Sequence, residues 1–158
     1  MSISTKRRIF LKGSLAAGAV GAAVGAGLLS PREVLAAWPE EAFKSKEINV
    51  ALKTLLGADA AEASADIEVK APDIAENGAV VPITVETKLK GIESITLLAA
   101  KNPVPLVANF GIGKTADGFV STRIKMGATG DVIAIVKAGG KLFSAKKEVK
   151  VTIGGCGG

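Results

Sequence analysis

From Asp66 onward the chain alternates apolar and polar positions in short runs broken by turn residues. This is the period-2 pattern of strands with one buried face. Ile67, Val69 and Ala71 alternate, as do Val81, Ile83, Val85 and Thr87, then Val120, Thr122, Ile124 and Met126, and finally Val149, Val151 and Ile153. The pattern predicts strands over 67–71, 80–89, 94–100, 105–110, 119–126, 132–137 and 141–153. Pro72, Asn77-Gly78, Gly91, Asn102-Pro103, Asp117-Gly118 and the stretch from Gly127 to Gly130 mark the breaks. Gly139-Gly140 reads as a tight hairpin turn, and Gly111-Ile112-Gly113-Lys114 as another. Pro82 lacks a backbone donor, which predicts an edge position or a bulge. The last strand is long enough to be bulged in its middle.

Upstream the period changes. Pro39-Glu40-Glu41 opens a short helix, with proline early and acids in the first turn. Ile48, Leu52, Leu55 and Leu56 then recur at helical spacing. Asn49 is the expected N-cap and Gly57 the C-terminal stop. This helical arm is expected to cover one end of the core; Trp38 and Phe43 could alternatively anchor a partner. Strands spaced at roughly 8–12 residues suggest a sandwich. The expected fold is mainly β. It is an immunoglobulin-like antiparallel β-sandwich of about seven strands, with a short N-terminal helical segment and a flexible C-terminal arm. The cysteine pair of antibody domains is missing.

Charge changes the picture at the N-terminus. The net charge of +5 comes largely from residues 1–37, where Lys6, Arg7, Arg8, Lys12 and Arg32 face only Glu33. The remainder holds fifteen basic and fourteen acidic residues, with no basic patch interleaved with aromatics, so nucleic-acid binding has no support. Arg7-Arg8, an uncharged Ala/Gly-rich stretch and Ala36-Ala37 resemble a twin-arginine export signal with a small-residue cleavage site. A membrane anchor is the competing reading, weakened by the low hydrophobicity of so much glycine and alanine. The expectation is cleavage near Ala37, no stable membrane anchor afterwards, and a periplasmic protein. The organisation is then a signal over 1–37, a helical segment over 38–57, a sandwich over 58–153 and an arm over 154–158.

Candidate chemistry is confined to one place. The chain has no histidine and one cysteine, which leaves no Cys–His or Ser–His pair and no His-based or multi-Cys metal site. No cofactor is expected. The single thiol, Cys156, stands between Gly154-Gly155 and Gly157-Gly158. Glycine frames leave it without steric walls, and such a terminus cannot be buried without stranding backbone polar groups. Lys146, Lys147 and Lys150 precede it; a solvated strand face explains them better than tuning of the thiol. An unpaired cysteine in an exported protein points to intermolecular chemistry. A nucleophile without acid–base machinery suggests a carrier whose partners do the catalysis.

The terminal Gly154-Gly155-Cys156-Gly157-Gly158, behind a β-rich domain, the Trp38-Pro39 to Phe43 segment and a twin-arginine leader, closely resembles the SoxY family. The family comprises sulfur-carrier subunits of thiosulfate oxidation. The resemblance implies a heterodimer with SoxZ. It implies thiosulfate joined to Cys156 by SoxXA, sulfate released by SoxB, and the outer sulfur oxidised by SoxCD where that enzyme is present. Cys156 is then the covalent attachment site and not a catalytic residue, and the protein is a substrate of its partners. Two other classes remain as alternatives. A stand-alone thiol oxidoreductase would need a resolving cysteine or a base. A structural or adhesive immunoglobulin-like module would function without the thiol.

Overall fold

The computed structural model describes residues 39–152. The expected export signal with Arg7 and Arg8, Trp38, Ile153, and the arm with Gly154, Gly155, Cys156, Gly157 and Gly158 lie outside the described residues. Among the described residues two helices, α1 (Glu40–Lys44) and α2 (Ile48–Leu56), precede nine strands. The strands are β1 (Glu62–Ala63), β2 (Ile67–Lys70), β3 (Ile74–Ala75), β4 (Val81–Thr87), β5 (Ile92–Ala99), β6 (Leu106–Gly111), β7 (Phe119–Ile124), β8 (Gly130–Ala138) and β9 (Lys141–Val151). The larger sheet runs β1-β9-β8-β5-β6, with β3 also pairing to β9; the smaller runs β2-β4-β7. All seven expected strands are present. The two additional ones, β1 and β3, span two residues each and lie parallel to β9.

The two sheets pack face to face through Ile67, Val81, Ile83, Val85, Val120, Ile124 and Met126 from one side and Ile95, Leu97, Val132, Ala134, Val136 and Val149 from the other. The alternate residues of β5 and β8 do not face solvent. Leu98 and Ile135 join Leu106, Ala42, Ala51 and Leu52 in a second cluster beneath the helices. A strand covered on both faces reads as an unbroken apolar run, which explains Ile95-Thr96-Leu97-Leu98 and Val132 to Val136. Thr96 is the exception, fully buried; its hydroxyl donates to Asn109 Oδ1 at 2.9 Å, which removes the cost of an unpaired buried hydroxyl. The helical arm therefore covers a face of the larger sheet rather than an end of the core.

Several local expectations are corrected. Asn49 lies inside α2 and does not cap it; Glu47 holds the N-cap position without a side-chain cap. Ser45 organises the approach instead, its Oγ accepting the Glu47 N–H at 3.2 Å. Ile48 belongs to the second apolar cluster, so the helix begins early enough to include it. Gly57 does end the helix, in the left-handed region at φ +80°, its N–H donating to Lys53 O at 3.0 Å. Gly111 to Lys114 is no hairpin: β6 and β7 belong to different sheets, so this segment crosses between them. The last strand carries no bulge, its register with β8 running unbroken from Lys141 to Val149. Irregularities occur instead in β5, against β6 at Leu97/Leu98 and against β8 at Ile92/Ser94. Pro82 sits in the central strand of the smaller sheet, but pairing with β2 stops at Thr84. Thr87 N–H points to β7 and Lys88 N–H to Asp66, so by alternation the Pro82 nitrogen faces the unpaired flank. Locally it occupies an edge, as its missing donor demands.

Candidate functional site

Cys156 and its four glycines fall outside the described residues, so the site is built from the strand that leads to them. β8 pairs with β9 only as far as Val149. Beyond that point the chain is held by other means. On one flank β3 lies alongside, Ile74 opposite Lys150 and Ala75 opposite Val151. Lys150 N–H donates to Asp73 O at 3.0 Å and Thr152 N–H to Ala75 O at 3.1 Å. On the other, Thr129 Oγ1 accepts the Val151 N–H at 2.9 Å and its hydroxyl contacts Val151 O at 3.4 Å. The Thr152 hydroxyl also lies 3.4 Å from Glu76 O. A two-residue strand and one threonine thus clasp the chain to within four residues of Cys156.

Two of the three lysines before the thiol, Lys146 and Lys147, are paired. Lys146 meets Asp131 at 3.2 Å and Lys147 meets Asp73 at 3.0 Å. Exposed ion pairs of this kind contribute under about 1 kcal/mol each, and they leave these two ammonium groups engaged with carboxylates. The Lys137 ammonium, 3.0 Å away, and then the Gly140 N–H hold the Glu93 carboxyl below its ordinary value of 4.5. A hydrogen bond to Glu86 raises Lys70 above 10.5. Among the described residues no group of His, Cys, Asp and Glu is arranged to hold a metal ion, and no helix is long and apolar enough to cross a membrane.

Among the depressions on the surface of the described residues are a cleft and a groove. A cleft of about 920 Å³ opens at the end of the sandwich away from the chain exit, between Asp66, the 86–93 segment and the 113–119 segment. Five carboxylates and three lysines line it, a mixed charge that selects no ion. A smaller groove of about 490 Å³, lined by Ile48, Leu52, Ala61, Ile133, Ile135 and Ala145, lies where α2 leaves the outer face of the larger sheet incompletely covered. Neither lies at the clasp. Sequence reasoning missed the clasp because a two-residue parallel strand has no periodicity, and Thr129 is a common residue in a glycine-flanked turn.

Residues 52–156, about two thirds of the chain, match the family described as sulfur oxidation protein SoxY. The chain belongs to the SoxY family. The matched stretch begins in α2 and ends on Cys156. Among solved structures, the chain is similar to the sulfur carrier protein SoxY from Chlorobium limicola f thiosulfatophilum. The two are 41% identical with a TM-score of 0.59, over 65% of this chain and 94% of that one. A superoxide reductase (neelaredoxin) from Ignicoccus hospitalis gives 19% identity and a TM-score of 0.49, over 54% of this chain and 80% of that one. No curated protein matches the chain. SoxY membership agrees with the immunoglobulin-like sandwich and with a sulfur-carrier role in sulfur oxidation.

Proposed function

We propose that this SoxY-family chain carries sulfur intermediates of thiosulfate oxidation covalently on Cys156. The observation that supports the reading most is that the family match runs to Cys156, the one cysteine in the sequence. The thiolate is the reactive form. Joining it to thiosulfate is an oxidation: Cys–SH and S2O3²⁻ give Cys–S–S–SO3⁻, one proton and two electrons, which a cytochrome of the SoxXA type accepts. Water then cleaves the terminal S–S bond. Sulfate and two protons leave, and the persulfide Cys–S–S⁻ remains on the chain; hydrolysis is the work of SoxB. A sulfane dehydrogenase of the SoxCD type would oxidise the outer sulfur where one is present.

The rest of the chain serves this cycle. Gly154, Gly155, Gly157 and Gly158 put no side chain beside the thiol, so a narrow active site admits it without clashes. Arg7 and Arg8 belong to a twin-arginine signal over 1–37 that is removed on export, placing the mature protein in the periplasm with SoxZ as its stable partner. The sandwich with its helical segment then serves as the body that partners recognise, with no resident cofactor. Intact-protein mass spectrometry after incubation with thiosulfate and the partner enzymes tests the reading. Thiosulfonate and persulfide adducts on Cys156 are expected, and Cys156→Ser abolishes them. A wild-type protein that stays a free thiol throughout overturns the proposal.

A further inference from the structure

We propose that β6 is a pairing edge for a second copy of this chain, the two β6 strands running antiparallel about a two-fold axis at Phe110. A strand that ends a sheet carries unpaired N–H and C=O groups, and proteins guard such edges with charge, proline or brevity. Among the described residues β2, β6 and β7 are the longer strands that end their sheets. β2 carries Glu68 and Lys70, and β7 carries Arg123. β6 carries no charge. From Asn102 to Gly113 there is no charged residue, the longest such run among the described residues. Pro103 and Pro105 precede the strand, and Leu106 joins Ala42 in the cluster beneath the helices. Its first residue is therefore covered, and its second half is left open.

The register fixes which groups are free. Ile112 N–H donates to Glu93 O at 2.9 Å, and the pairing with β5 runs regularly from Gly111 back to Ala108. Bonded and non-bonded pairs alternate in an antiparallel ladder, so Phe110 bonds to β5 while Asn109 and Gly111 turn N–H and C=O to the open side. A two-fold axis through Phe110 sets Asn109 of one copy opposite Gly111 of the other. Each such pair can exchange both backbone bonds. Phe110 then meets its own copy in the closer, non-bonded spacing, where aromatic pairs across strands are favourable. Phe110 and Ile112 are only partly buried against the inter-sheet core, so the pairing covers apolar rim. Gly111 supports close approach of another backbone. It has no positive φ that would demand glycine, and open space surrounds the position of a Cβ. A strand that pairs with its own copy brings like residues together, and like charges there are destabilising. The uncharged β6 suits that partner, and β2 and β7 do not.

The test is sedimentation and amide exchange of the mature chain over a concentration series, alone and with its stable partner, Cys156 being kept reduced. The chain alone should pass from monomer to dimer. The monomer fraction of a mostly dimeric sample falls as the square root of concentration. Exchange at Asn109 and Gly111 should therefore slow about ten-fold over an about hundred-fold rise in concentration. Gly111→Lys puts a charge on the edge where a side chain has room, and should abolish the dimer. Ser121→Lys, the same charge at an exposed position of β7, should leave it intact. A chain that stays monomeric, a dimer that survives Gly111→Lys, or one lost equally in Ser121→Lys overturns the proposal. So does a dimer whose Asn109 and Gly111 amides exchange at a rate independent of concentration, a readout that needs no variant. Protection of these amides only in the complex assigns β6 to the partner subunit and overturns it too. Sulfur loading of Cys156 is a separate measurement, so the carrier reading stands or falls independently.

Discussion

At one end of the sandwich the chain turns back through Gly139 and Gly140, both at positive φ, and at the other the last strand leaves for Cys156. The turning end is cross-tied by side chains remote in sequence. One Glu93 carboxylate oxygen accepts the Gly140 N–H at 3.0 Å, and the other meets Lys137 at 3.0 Å. Gly118 packs against Thr87 and Ile92 so closely that an added Cβ would force a neighbour to shift. The exit end is held by backbone pairing to a two-residue strand and by the hydroxyls of Thr129 and Thr152, with Ile74 and Val80 left in solvent. The difference is one of means. The turning end is tied mainly by side chains, and the exit end mainly by backbone pairing with apolar surface beside it.

The largest expected effect that would sharpen this contrast is at Gly118. An added Cβ would lie 2.5 Å from Ile92 Cδ1, 2.6 Å from Thr87 Cγ2 and 2.9 Å from the Thr87 carbonyl oxygen. The side chains can turn away, but the Thr87 carbonyl is backbone, and the same residue's N–H donates to Gly118 O at 2.8 Å where the β4–β7 pairing begins. Overpacking of this kind costs about 1–3 kcal/mol. Gly118→Ala should lower the urea midpoint accordingly while leaving the alkylation rate of Cys156 unchanged. A midpoint equal to wild type would show that the turning end has slack.

A smaller and more local effect is expected at the clasp. Thr129→Val keeps the shape and removes the hydroxyl that accepts the Val151 N–H. One exposed hydrogen bond contributes about 0.5–1.5 kcal/mol. Because residues 150–152 lie beyond the β8 pairing, their loss need not unfold the sheet. Amide exchange at Val151 and Thr152 should accelerate about ten-fold with the global urea midpoint almost unmoved. A global drop equal to that of Gly118→Ala would erase the distinction between the two ends.

These two sites also show what could be read from the sequence. β2, β4, β7 and the end of β9 were legible because one apolar face repeats every second residue, and β5, β6 and β8 because they are short apolar runs bounded by turn residues. The Gly139-Gly140 hairpin was legible because two glycines supply the two positive φ values its turn requires. The second core was only half legible: the unbroken run Val132 to Val136 signals burial on both faces, but nothing local says that α2 provides the cover. The ties at both ends were not legible, since Glu93 to Gly140 and Ala75 to Thr152 join residues with no shared pattern. Of the site, Cys156 and its glycines stood out by composition alone, while the clasp beneath them came from the fold.

The smallest effect concerns pH. Glu93 is depressed in the folded chain by Lys137 and by the Gly140 N–H. A carboxyl with a lowered folded pKa adds stability above its unfolded value and loses it as pH falls through the folded one. The contribution of Glu93 should therefore be complete at neutral pH and decline below 4.5. The group is solvent-exposed, so the change is small and weakens with salt. Glu93→Gln should lower the neutral-pH urea midpoint slightly and flatten its fall between neutral and acid pH. The loss should be felt at Gly139 and Gly140, whose amides should exchange faster, and not at Val151. Equal acceleration at both ends would mean that the sheet opens as one unit, and that the turning end and the exit end are not energetically separate.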